Sequence, residues 1–168
     1  MKRKRLDEII RVDHAGEHGA IAIYKGQLSA LNLIGDKKTS FIISEMAEGE
    51  KVHAKEFDRL VKERKTRPTA LMPLWNLAGY TLGVMSVIGG RDSVMACTEA
   101  VEEIIDKHYS DQIEELESSG QEKDILKTIK KFHAEEIEHE KIAKNEISEN
   151  TPALKAFKKL VGNYGYPM

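Results

Sequence analysis

The sequence predicts an all-α fold, a four-helix bundle with a long apolar crossover. Three observations carry this expectation. Apolar residues recur every three or four positions through four long stretches. No segment shows the strict alternation of a half-buried strand. An uncharged apolar stretch separates the second helical pattern from the third.

The first helix is expected over residues 6–33, with Ile10, His14, Glu17, Ile21, Tyr24, Leu28 and Leu31 on one face. Gly35-Asp36 stops it, as a glycine past a helix end does. The second spans 38–64, with Ile42, Met46, Glu50, His53, Phe57 and Leu60 in line. The third spans 91–118 along Met95, Glu102, Tyr109, Ile113 and Leu116, and Ser118-Ser119-Gly120 closes it. The fourth spans 121–147 through Ile125, Ile129, Phe132, Glu136, His139 and Ala143. A short C-terminal helix is expected after Pro152, and the tail from Gly162 carries no helical pattern.

The crossover, 68–90, holds no charged residue. Its apolar content (Leu71, Met72, Leu74, Trp75, Leu77, Tyr80) approaches what a bilayer span needs. Pro73, Asn76 and the glycines Gly79, Gly83, Gly89 and Gly90 break it up. It therefore reads as a helix packed along the bundle, with one apolar edge open to lipid. A long connection here makes the second and third bundle helices parallel, which is the ferritin-like arrangement.

The chain has 168 residues, which suits a single domain over 1–168 with its own core. A net charge of -2 gives no field that would recruit nucleic acid. Local basic runs occur at Lys2-Arg3-Lys4-Arg5 and at Lys155, Lys158 and Lys159. They read as solvated ends, with an anionic membrane surface as the second reading. A single cysteine, Cys97, excludes an internal disulfide and fits a reducing compartment. Its apolar surroundings make it a packing residue. The N-terminus has neither the apolar core nor the cleavage site of a secretory signal.

Acidic and imidazole residues on the apolar faces are the informative feature. Glu50-Lys51-Val52-His53 and Glu136-Ile137-Glu138-His139 are both Glu-x-x-His. Positions i and i+3 share a helix face, so each pair can reach one metal ion. Glu17 and Glu102 lie on the inner faces of the first and third helices. Glu17 precedes Glu50 by 33 positions and Glu102 precedes Glu136 by 34, so one helix-pair unit is used twice. Four carboxylates and two imidazoles from four helices are the donor set of di-iron carboxylate bundles. Four buried charged glutamates would each cost on the order of several kcal/mol, and two divalent cations cancel their charge. Oxygen and imidazole donors without thiolate suit iron or manganese. Helical phase alone leaves Glu48, Glu99, Glu103, Glu135, Glu138 and Glu140 as competing carboxylates. His14 reads as core or as support for the site, and His18 and His133 as surface or boundary residues.

Longer motifs narrow the choice. Ile9-Ile10-Arg11-Val12-Asp13-His14-Ala15-Gly16-Glu17 resembles the opening of the demethoxyubiquinone hydroxylase family, di-iron monooxygenases of ubiquinone synthesis. Arg67-Pro68-Thr69-Ala70-Leu71-Met72-Pro73-Leu74-Trp75-Asn76 resembles that family's crossover. So do Met95-Ala96-Cys97-Thr98 with Val101-Glu102-Glu103, and Ile129-Lys130-Lys131-Phe132 leading into Glu135-Glu136-Ile137-Glu138-His139. The resemblance covers nearly the whole chain, from about Leu6 to about Val161. It implies six metal ligands: Glu17, Glu50, His53, Glu102, Glu136 and His139. It places Glu102 over Glu103 and Glu136 over Glu135. Tyr109 and His108 match a family tyrosine and histidine near the site. It further implies two iron ions per chain, O2 as co-substrate, NADH as candidate reductant and a polyprenylated quinol as substrate. The expected setting is cytoplasmic, on the surface of the inner (cell) membrane, with a homo-oligomer or ubiquinone-biosynthesis proteins as candidate partners and no nucleic acid. No Gly-x-Gly-x-x-Gly motif suggests a separate dinucleotide domain. The ending Asn163-Tyr164-Gly165-Tyr166-Pro167-Met168 departs from the family, whose last helix runs further. The alternative expectations are a ferritin-like iron-storage or peroxide-scavenging protein, and a purely structural bundle.

Overall fold

A computed structural model describes residues 1–147 together with Pro152, 155–157 and Lys159. Among the described residues there is no strand, and the long elements are α1 (Arg3–Ile34), α2 (Lys37–Arg64), α3 (Met72–Ile88), α4 (Arg91–Ser119) and α5 (Lys123–Asn145), while Pro152, 155–157 and Lys159 are also helical. Most of the expected short helix after Pro152, and the tail from Gly162, lie outside the described residues. The described residues fall into two compact units, one over Lys2–Ile88 and one beginning at Gly89.

In the first unit α1 and α2 form a tight hairpin, and α3 packs along α1. Gly35 ends α1 with φ 77 and ψ 19, a left-handed conformation that costs glycine little. Its N–H bonds the Asn32 carbonyl, and the N–H of Asp36 bonds that of Leu31. The Asp36 side chain then caps α2 by accepting from the Thr39 N–H at 3.0 Å. Ile10, Tyr24, Leu31, Ile43, Met46, Phe57 and Leu60 are among the buried apolar residues. Ile43 is fully buried, whereas Ile42 is only half-buried, so the inner stripe of α2 starts one position later than its sequence pattern suggests.

The crossover helix is shorter than the 68–90 stretch. Lys65 ends α2 in the left-handed region, with φ 55 and ψ 34. The residue before Pro68 is biased away from helix by the proline ring. The strap that follows α2 is pinned across the start of α1. The Thr66 hydroxyl donates to Asp7 at 2.8 Å, and Arg11 Nε donates to the Arg67 carbonyl at 2.8 Å. Pro73 then sits in the first turn of α3, where a missing N–H costs nothing. Trp75 lies over Gly19, Gly79 lies against Gly19 and Ala22, and Gln27 Nε2 donates to Ser86 Oγ at 3.3 Å. These contacts advance together along both helices, so α3 runs parallel to α1. Its 17 residues span about 26 Å at the ordinary helical rise, less than a bilayer core. Among the described residues no helix is long and apolar enough to cross a membrane.

In the second unit α4 and α5 pack along one another. Gly90 precedes α4 and Gly120 ends it in the left-handed region. Glu122 is also left-handed, with φ 54, which keeps Gln121 and Glu122 out of α5 and delays its start to Lys123. At the far end the N–H groups of Glu146 and Ile147 bond the carbonyls of Ala143 and Lys144, the tightened geometry of a closing turn. Cys97 is buried.

Candidate metal centre

Each unit carries the same three-residue set. In the first, α1 supplies Glu17, and α2 supplies Glu50 and His53 one turn apart. One donor atom from each lies within 4.8 Å of the others. His53 Nδ1 stands 3.5 Å from Glu17 Oε2 and 3.7 Å from Glu50 Oε2. In the second unit α4 supplies Glu102, and α5 supplies Glu136 and His139, again with donor atoms within 4.8 Å of one another. His139 Nδ1 stands 3.2 Å from Glu136 Oε2. All four glutamates and His53 are buried to 1% exposure or less, and the His139 side chain is 14% exposed.

The spacing is one that a cation can bridge. Two donors held about 2.1 Å from one small cation, at angles between square and trigonal, stand roughly 3–3.7 Å apart. The distances about His53 fall in that range, and the longer one is beyond a hydrogen bond. A set of two carboxylates and one imidazole also matches the charge of a divalent ion, which offsets the cost of burying the carboxylates.

Burial separates these glutamates from most of their neighbours. Glu48, Glu103 and Glu138 are exposed, and Glu135 and Glu140 half-buried. Several of them sit in surface ion pairs, Lys51–Glu48 at 2.6 Å, Lys131–Glu135 at 3.6 Å and Lys144–Glu140 at 2.5 Å. Glu99 is the exception at 4% exposure, one turn before Glu102 on the same helix. Tyr109 is buried, and its ring meets His133 edge-on at 6.5 Å. His108 is half-buried.

Two groupings went unread in the sequence. His133, expected at the surface or a boundary, lies within α5, and its Nε2 is 2.7 Å from Asp106 Oδ1 and 3.2 Å from Ser110 Oγ. His14 and His18 both turn to Asp58 of α2, their Nε2 atoms 3.0 and 3.1 Å from the same Oδ1. Burial holds His14 below its ordinary 6.5, against the opposing pull of the Asp58 hydrogen bond. For Asp58, burial pushes upward, but the hydrogen bonds from His18 and His14 outweigh it and hold the carboxyl below 3.8. The spacing His14-x-x-x-His18 was a signal for this group. Nothing in the sequence pattern pointed to Asp58, which lies five positions past His53.

The family model described as ubiquinone biosynthesis protein COQ7 matches residues 4–165. The chain is 44% identical over 162 residues to a Dictyostelium discoideum protein named NADPH-dependent 3-demethoxyubiquinone 3-hydroxylase, mitochondrial, covering 96% of this chain and 73% of that one. It is 43% identical to the human protein of the same name, over 96% and 74% of the two chains. A Rhodospirillum rubrum protein named 3-demethoxyubiquinol 3-hydroxylase is 42% identical over 150 residues, 89% of this chain and 68% of that one. Matches of this extent and identity show that the chain belongs to the COQ7 family of ubiquinone biosynthesis proteins.

Proposed function

We propose that this protein is a 3-demethoxyubiquinol 3-hydroxylase, an oxidoreductase that adds one hydroxyl to the ring of a ubiquinone precursor. The observation that carries the reading is the repeated, buried Glu, Glu, His set in a chain of this family. On this reading residues 1–168 act as one ferritin-like four-helix domain. Glu17, Glu50, His53, Glu102, Glu136 and His139 hold two iron ions there. The four carboxylates then balance the four positive charges of two divalent ions.

Bound iron supplies the exchange of electrons with O2 that ring hydroxylation needs. The chain's own residues do the rest. Glu50 and Glu136, fully buried on α2 and α5, hold negative charge where water cannot screen it. Each Glu-x-x-His turn fixes an imidazole beside its carboxylate by helix geometry alone. On the same family resemblance Tyr109 and His108 of α4 support the centre, and Tyr109 can hold or pass a proton through its hydroxyl. The balance is one O2, two electrons and two protons per ring hydroxyl formed, with one water released. The electrons come from a reduced nicotinamide. NADH is the sequence-based expectation, and the eukaryotic relatives' names specify NADPH.

The substrate's isoprenoid tail stays in lipid, so the enzyme works at a membrane surface. Leu71, Leu74, Trp75, Leu77 and Met85 on and beside α3 are exposed apolar groups fit for docking there. The relatives cited above are named as hydroxylases, which favours this reading over iron storage or peroxide scavenging.

The test is expression in a ubiquinone-deficient bacterial strain lacking its own hydroxylase, with quinones read by mass spectrometry. Ubiquinone should return. Continued accumulation of the demethoxy precursor, with soluble and iron-loaded protein present, would overturn the assignment.

A further inference from the structure

His14, His18 and Asp58 form a second donor cluster that the hydroxylase reading does not use. His14 and His18 are one helical turn apart on α1 and share a face. Asp58 reaches them from α2. Both imidazole Nε2 atoms converge on one carboxylate oxygen, at 3.0 and 3.1 Å, with the rings 4.7 Å apart. One donor atom from each residue lies within 4.8 Å of the other two.

We propose that His14, His18 and Asp58 form a separate divalent-cation site of the zinc type, which clamps α1 to α2. Two imidazoles and one carboxylate are a zinc donor set that leaves a fourth position for water. Such a set disfavours magnesium and calcium, which take oxygen ligands. The three side chains are 8%, 30% and 45% exposed, so the cluster is anchored on the buried side and open on the other. An ion enters from the Asp58 side and keeps a solvent ligand. Burial lowers the His14 pKa, which favours the neutral imidazole that an ion needs. To bind the ion, each imidazole presents its Nε2 lone pair and keeps its one proton on Nδ1, and any second proton is released to solvent. The cluster is also distinct in chemistry from the carboxylate-rich sets: it is dominated by nitrogen, and Asp58 is its only carboxylate. His14 precedes Glu17 by one turn, so a bound ion tightens the helix pairing beside that set. The proposal stands whether or not the Glu and His sets hold iron.

The test is titration of the metal-stripped full chain with cobalt(II), followed by visible absorption and calorimetry. His18→Gln, Asp58→Asn and Glu50→Gln are compared with the parent. The parent should bind one equivalent more than His18→Gln or Asp58→Asn, or bind that equivalent at least about tenfold more tightly. That equivalent should carry the strong visible bands of four-coordinate cobalt. Glu50→Gln should keep it. His18 and Asp58 are partly exposed, so both variants should fold, and zinc should raise the Tm of the parent more than that of Asp58→Asn. Unchanged stoichiometry, affinity and spectra in the His18 and Asp58 variants would overturn the site. Loss of the same equivalent in Glu50→Gln instead would also overturn it, by assigning the ion to the Glu17, Glu50 and His53 set.

Discussion

Gly26 of α1 and Tyr80 of α3 meet backbone against backbone. A Cβ on Gly26 would fall on the Tyr80 carbonyl oxygen, and a Cβ on Gly83 would fall on the Ile23 carbonyl oxygen. Neither obstacle is a flexible side chain that could move aside. Gly83→Ala should therefore push α3 off α1 and cost about 3 kcal/mol. Gly79→Ala should cost less, because its nearest neighbour would stand at 3.0 Å. Gly16 has nothing within 4 Å of an added Cβ, so Gly16→Ala should gain up to about 1 kcal/mol from helix propensity. Urea midpoints of the three variants test this order, and a Gly83→Ala protein as stable as the parent would contradict the close approach.

The buried glutamates predict a change of sign. Without metal, Glu50 is a carboxyl group with no exposure, close to Glu17 through their shared neighbour His53. Glu50→Gln keeps the shape and removes the charge. It should raise the stability of the metal-free protein, by on the order of 1–2 kcal/mol. With ferrous or manganous ion added the order should reverse. An ion at a hundred times its Kd contributes about 2.7 kcal/mol per site to the parent, and the variant loses a ligand. Thermal unfolding with and without a chelator reads both signs, and the same order in both conditions would count against metal binding at Glu50.

This site was legible because helix geometry turns sequence spacing into space. Glu50 and His53 share a face by arithmetic, and so do Glu136 and His139. The preference for Glu102 over Glu103 came from family resemblance, and Glu102 is fully buried while Glu103 is exposed. Asp58 was illegible for the opposite reason. Its partners lie 40 and 44 positions away on another helix, and no periodicity links them. The crossover shows the same division. Its apolar character was plain, but the strap before Met72 is held by the Thr66–Asp7 and Arg11–Arg67 hydrogen bonds, which are tertiary.

Helix ends at residues other than glycine were the other blind spot, and they carry a prediction. Lys65 and Glu122 hold φ values of 55 and 54. A side chain there costs roughly 1–2 kcal/mol, which no sequence signal announces. Lys65→Gly should relieve that strain at the end of α2. Part of the gain is lost to the freer unfolded chain, so the net effect should be about 0.5–1 kcal/mol of added stability. Lys65→Ala should gain nothing, since alanine meets the same steric conflict. A thermal shift for the alanine variant equal to that of the glycine variant would place the effect in the lysine side chain instead.

The proposed work at a membrane surface predicts a docking role for the outer face of α3. Leu74 and Leu77 are each 63% exposed and Trp75 is 44% exposed, on a helix whose other face is committed to α1. Docking on lipid would bury these groups, and a fully buried leucine contributes about 1.5–3 kcal/mol. Leu74→Ser with Leu77→Ser should therefore weaken binding to phospholipid vesicles by at least about tenfold. Metal content and unfolding midpoint should stay near the parent values, because neither residue supports the core. Activity on a short-tailed, water-soluble quinol should survive, while activity on a long-tailed quinol in vesicles should fall. Equal loss on both substrates would mean that the face serves the catalytic fold and not the lipid surface.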